Sequence, residues 1–183
     1  TLQAGILQLG SNTSLDTGGD FLTIAARNAT QTAANTTATV DLMGNNNTVN
    51  TITIGGTNTA STAGTNGWAG SIISTGGAGS LDDVNALTIN AGPAGKLNGG
   101  AIIGANVTLN YDNSGTNKGI TVRDGSATND LTINGAIRTD AASTTHDFTF
   151  LGDGTVSFNG SLGRGTVVGG HDAPLIVNRK FIL

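Results

Sequence analysis

The feature that most constrains the fold is a four-residue word that recurs along the chain. It reads "LTIN" at Leu87–Asn90, "VTLN" at Val107–Asn110, "LTIN" at Leu131–Asn134, "VSFN" at Val156–Asn159 and "LIVN" at Leu175–Asn178. The spacing between starts is uneven, ~20 to 25 residues, which is the loose period of a solenoid coil. In a strand, the first and third residues of such a word point to one face and the second to the other. Leu, Ile, Val and Phe then turn inward, and Thr or Ser mostly faces out. The closing residues Asn90, Asn110, Asn134, Asn159 and Asn178 are expected at strand ends. Asn tolerates the left-handed backbone of a bend, and its amide can bond an equivalent amide one coil away; an ordinary turn role is the alternative.

Further apolar patches lie between the words, among them "FLTI" (21–24), "VDLM" (40–43), "TITIG" (51–55), "SIIS" (71–74), "AIIG" (101–104) and "FTF" (148–150). They come too often for one strand per period. Two or three short strands per coil of ~20 to 25 residues, separated by Gly, Asn and Asp bends, is the pattern of a parallel β-helix. The segment "DFTFLGDGTVSFNG" (Asp147–Gly160) tests this, because the turn rules also allow an antiparallel hairpin about Asp153-Gly154. We read it as two faces of one coil around a corner. The expected fold is an all-β parallel β-helix of roughly eight irregular coils in a single domain, 1–183. At the ~4.8 Å strand spacing it makes a rod on the order of 40 Å long. Residues about 28–70 fit the period worst and are expected to form loop-like excursions, with Trp68 in one of them.

Composition narrows the classes. Thr, Asn and Ser make up about a third of the 183 residues, with 29 glycines, two prolines and 37% hydrophobic residues, a mixture unlike that of disordered chains. All twelve acidic residues are aspartates, and scarce helix formers beside abundant Gly and β-branched types leave little room for helix. The net charge is −4 and the eight basic residues are scattered, so no basic stripe exists to neutralise phosphates and nucleic acid is not an expected partner. Without cysteine there is neither a disulfide framework nor a thiolate metal site. No run approaches the ~18 to 20 apolar residues that span a bilayer. The chain opens on "TLQAGILQLG", without an initiator Met or a signal segment, as expected of a processed chain or a piece of a longer one.

Two stretches, "QAGILQLGS" (Gln3–Ser11) and "LTINGAIRT…FTFLGDGTVSFNGSLGRGTVVGG", resemble the autotransporter-associated β-strand repeat, in which a G-x-L-x-L-x-G strand follows a glycine bend. The likeness covers about the first fifteen residues and the last hundred. The N-x-Y-x-G bend of that repeat stands here as "FNGSLGRG", without the tyrosine. Such repeats occur in right-handed β-helical passengers and large bacterial surface adhesins. The resemblance therefore implies a right-handed winding and a location outside the cell or on the bacterial surface.

Signals for chemistry are sparse. "GGAGSLDDV" (Gly76–Val84) approaches the calcium nonapeptide GGxGxDxUx, but Leu81 stands where the liganding Asp belongs, and Asp82 and Asp83 are expected to be solvated. His146 and His171 each precede an aspartate, Asp147 and Asp172, without the spaced carboxylate pair of a glycosidase. Six Asn-x-Ser/Thr sequons, at Asn12, Asn28, Asn35, Asn46, Asn106 and Asn159, match chance in so Asn- and Thr-rich a chain. Thr-x-Thr pairs at 30–32, 37–39, 51–53 and 57–59 suggest an ice-binding array. They follow one another at irregular intervals instead of once per coil, so ordinary outward threonines are the better account. No catalytic residue, metal or cofactor is expected. The expected function is a non-catalytic extracellular fibre, adhesin stalk or filament subunit, pairing head to tail with itself or with further repeats and touching a host or environmental surface. The alternatives are a carbohydrate-active β-helix enzyme and a compact β-sandwich binding module.

Overall fold

A computed structural model describes residues 2, 4–15, 21–24, 37–55, 69–90, 100–111, 118–123, 130–139, 148–152, 154–164, 175–177 and 181–182. Their regular secondary structure is entirely β, so no helix among them is long and apolar enough to cross a membrane. The chain lays down β1 (Gly5–Gln8) and β2 (Phe21–Ile24), then β3 (Thr37–Asp41), β4 (Asn46–Thr48) and β5 (Thr51–Ile54). The rotation repeats with β6 (Ala69–Ile73), β7 (Gly79–Val84) and β8 (Ala86–Asn90), and with β9 (Ala101–Ile103), β10 (Val107–Tyr111) and β11 (Lys118–Arg123). It continues through β12 (Leu131–Ile133), β13 (Ala136–Thr139) and β14 (Phe148–Gly152). β15 (Val156–Phe158), β16 (Ser161–Arg164), β17 (Leu175–Val177) and β18 (Phe181–Ile182) follow.

These strands build three sheets: a seven-stranded one in the order β1-β3-β6-β9-β12-β15-β18, a five-stranded one, β16-β13-β10-β7-β4, and a six-stranded one, β17-β14-β11-β8-β5-β2. All pairings between them are parallel. A chain that returns to the same sheets in fixed rotation, always parallel, has a solenoid-like arrangement. The Asp147–Gly160 segment follows it: β14 pairs with β11 and β17, whereas β15 pairs with β12 and β18. The two runs lie in different sheets, which rules out the hairpin and, with it, the antiparallel sandwich.

The repeat length differs from the one read in the sequence. Side chains that meet across adjacent coils are separated by 33 residues for Gln8 and Asp41, by 32 for Thr39 and Ser71, and by 25 for Asn134 and Asn159. The five words fall in turn on the six-, five-, seven-, seven- and six-stranded sheets, and of consecutive words only those at Leu131 and Val156 stack directly. From β3 to β17 each rotation holds three strands, most of them of the same alternating type. Spacing between words therefore mixes steps around the coil with steps along it, and the expected coil of ~20 to 25 residues is too short for most of the chain. Residues 37–54, inside the stretch expected to loop out, supply β3, β4 and β5, one strand per sheet. The rest of that stretch, Trp68 included, lies largely outside the described residues.

The core is a set of apolar columns. Val40, Ile72, Ile103, Ile133 and Phe158 stack in register in the seven-stranded sheet, and Leu22, Ile52, Leu87, Ile120 and Phe150 in the six-stranded one, all buried. Each such side chain contributes about 1.5–3 kcal/mol by leaving water, but only because its neighbours along the axis cover it. Tight backbone approach fixes some glycines at the corners. A Cβ on Gly160 would collide with the Gly135 carbonyl of the coil beside it, and Gly152, at φ 102°, would drive a Cβ into the Val122 carbonyl. Glycine alone fits both positions.

Candidate functional site

The word-ending asparagines do not form one column. Asn134 and Asn159, at the corner between the seven- and five-stranded sheets, do stack, with Asn159 Nδ2 donating to Asn134 Oδ1 at 3.0 Å. Asn110 lies in β10 opposite Arg138 and donates to Asp82 Oδ1, and Asn90 lies in β8 opposite Arg123. Asn178 is outside the described residues. None of the four takes a left-handed backbone; apart from glycine, the described residues that do are Met43 (φ 54°) and Asp83 (φ 59°). The ladder role thus holds for one step of the stack, and the left-handed bend is made elsewhere.

The densest polar cluster among the described residues surrounds Asp41, which nothing in the sequence singled out. Asp41 ends β3 and is 2% exposed. Its Oδ1 accepts from the backbone N–H groups of Met43 and Thr75, each at 3.0 Å, and its Oδ2 accepts from the Thr75 hydroxyl at 2.7 Å and from Gln8 Nε2 at 3.5 Å. Three consecutive layers therefore meet on one carboxylate. Burial opposes the charge, but the Thr75 hydroxyl and amide, the Met43 amide and Gln8 together outweigh it and hold the Asp41 pKa below its ordinary value. Next to it, Ser74 Oγ accepts from the Gly44 N–H, and Asn45 Nδ2 donates to the Leu9 carbonyl, each bond running between coils. The only hint in the sequence is an aspartate after a strand and just before a Met-Gly turn.

Asn47 plays a similar part inside the core column. It stacks on buried Leu81, is 1% exposed, and uses Oδ1 to accept from the Leu15 N–H and Nδ2 to donate to the Ser11 carbonyl. It thereby fastens residues 11–15 across the end of the five-stranded sheet. Lys118, buried where β11 begins, donates to Asn85 Oδ1. Burial also pushes the Tyr111 hydroxyl pKa up, so that group stays protonated.

The three outward faces differ in chemistry. On the five-stranded sheet Thr48 and Asp82 lie opposite each other, and Asn110, bonded to Asp82, is opposite Arg138, giving a charged ladder interrupted by a register shift between Leu109 and Tyr111. Asp82 of the near-nonapeptide belongs to this ladder, and Asp83 is exposed beside it. Among the described residues no three His or Asp side chains group as metal ligands. On the seven-stranded sheet the outward row reads Ile6, Thr39, Ser71, Ile102, Thr132 and Ser157. The six-stranded sheet presents threonines in register. His146, His171, Asp147 and Asp172 lie outside the described residues. No family model, curated protein or solved structure matches this chain.

Proposed function

We propose that this chain is a non-catalytic structural segment of an extracellular or bacterial cell-surface fibre or adhesin stalk, a self-stacking filament unit that touches a host or environmental surface. The observation that carries this reading is an apolar column left open at one end. Leu7 is in register with Val40 and shares its column with Ile72, Ile103, Ile133 and Phe158. The others are buried, whereas Leu7 is 38% exposed and its neighbour Ile6 69%. Phe21, in β2 of the six-stranded sheet, is 75% exposed at the same end. A parallel edge carrying uncovered apolar groups is suited to receive a further strand, from another repeat of the same polypeptide or from a second copy head to tail. The Asp41 cluster fits a mechanical role, because it binds three layers to one another.

The winding is read as right-handed, since parallel crossovers within one sheet take that hand almost always. Seven strands in one sheet mark six steps along the axis, a rod of about 29 Å at the ~4.8 Å spacing, shorter than the eight coils suggested by the word spacing. Negative-stain electron microscopy and small-angle scattering of the purified chain test the reading. Rods that lengthen with concentration, and that stay single when Ile6→Lys and Leu7→Lys are introduced together, are expected. A compact monomer at every concentration contradicts stacking between copies.

A further inference from the structure

The outward face of the six-stranded sheet is set apart by register, neutrality and uncommitted hydroxyl groups. Thr23, Thr53, Thr88 and Thr121 lie directly opposite one another on β2, β5, β8 and β11, followed by Leu151 on β14. Of these only Thr53 belongs to a Thr-x-Thr pair of the kind whose irregular spacing argued against an array. The row is built of one threonine per coil, aligned by strand pairing. The parallel row beside it is Phe21, Thr51, Ala86, Gly119 and Thr149. No charged residue occurs in either row; Arg123, paired with Asn90, stands at the margin. Ala86 and Gly119 keep the second row low, and Gly119 cannot be enlarged because a Cβ there would meet the Thr149 carbonyl. The pairing of this sheet runs without the shift that interrupts the five-stranded one.

The hydroxyls of the main row are also open to solvent partners. Among the described residues, no side-chain hydrogen bond engages Thr23, Thr53, Thr88 or Thr121, although all four are half-buried; on the seven-stranded sheet, by contrast, the Thr39 and Ser71 hydroxyls bond each other at 2.8 Å. Each of these hydroxyls keeps one donor and two acceptor positions for water or for a ligand. The β-branched side chain is stiff at χ1, so each threonine loses little freedom when its methyl and hydroxyl are held against a surface. Their spacing along the rod is the interstrand ~4.8 Å. That is close to an oxygen repeat of hexagonal ice, and a charged group, which organises its own hydration shell, would spoil the match.

We propose that this face binds ordered water at the surface of an ice crystal, with Thr53, Thr88 and Thr121 at its centre. The methyl groups rest in the hollows of the water lattice, and the hydroxyls take lattice positions. The inference is independent of whether the rods stack end to end.

The test measures freezing hysteresis and incorporation into a slowly growing ice hemisphere for the full chain, for Thr53→Lys and Thr88→Lys, and for Thr132→Lys on the seven-stranded sheet as control. Circular dichroism and thermal midpoints verify that each variant is folded. The expected result is a measurable hysteresis and enrichment in ice for the parent chain and for Thr132→Lys, both lost in folded Thr53→Lys and Thr88→Lys. Absence of ice affinity in the parent overturns the proposal, as does equal loss in Thr132→Lys or full retention in either face variant. Binding to crystalline cellulose or chitin without any effect on ice overturns it too, and reassigns the face to a polysaccharide.

Discussion

Asp41 shows how much a single side chain carries in a stacked fold. It is buried and accepts from two backbone amides, a hydroxyl and a side-chain amide drawn from three layers, so removing it breaks four charge-assisted bonds at once, although the donors on Gln8, Met43 and Thr75 belong to exposed residues that water can reach. Asp41→Ala is expected to lower stability by about 2–3 kcal/mol, and Asp41→Asn by less, because an amide oxygen still accepts part of the set. Chemical denaturation at neutral pH measures both. The pH dependence has a definite sign. The Asp41 pKa is depressed in the folded state, so its contribution is fully present above the ordinary value of 3.8 and is lost as pH falls through the lower folded value. Acid titration of stability should therefore be flatter in Asp41→Asn than in the parent, and an identical acid limb in the two would contradict the assignment. Gly152 makes a steric counterpart: at φ 102° and against the Val122 carbonyl, Gly152→Ala is expected to destabilise more than the ~1 kcal/mol typical of a substitution, with the damage centred on the β14–β15 corner.

At the scale of the strand, the alternating words encode which residues turn inward, and the burial of Leu87, Ile89, Leu131 and Ile133 follows that alternation. They say nothing about which strand covers which. Phe150 is the largest fully buried side chain among the described residues, stacked on Ile120 in β11. Phe150→Ala is expected to lower stability by about 3–5 kcal/mol, and a loss under ~1 kcal/mol in a denaturant titration would deny that column its place in the core. The Asn ladder was legible as a possibility, yet among the described word-ending asparagines it is realised only between Asn134 and Asn159, where two words share a sheet and a register. Asn90 and Asn110 end words on other sheets and meet Arg123 and Arg138 as register partners. The Asp41 cluster could not be read in advance, because its partners Gln8 and Thr75 are distant in sequence and are brought together by stacking alone.

For the whole molecule, a stack of near-equivalent layers predicts a gradient of local stability. Strands with a neighbour on each side, such as β8 between β5 and β11, open only with those neighbours, whereas β1 pairs on one side and is exposed along its length. Native-state hydrogen exchange should find the amides of β8, β9 and β11 slowest and those of β1 fastest. Uniform protection from β1 to β11 would mean that the end is covered in solution, by a second copy or by the chain itself. The sequence by itself determined that the chain is all-β, that its apolar residues form inward rows, and that the Asp147–Gly160 segment rounds a corner. Each of these depends on residues within a few positions of one another, through side-chain alternation and the backbone freedom of glycine. Only the tertiary structure decided which word lies over which, and hence the length of each return, the carboxylate shared by three layers and the aligned threonines. Three strands per rotation carry the same period-two signal, so their stacking is chosen by loop length and backbone hydrogen bonding between distant segments, which no local pattern records.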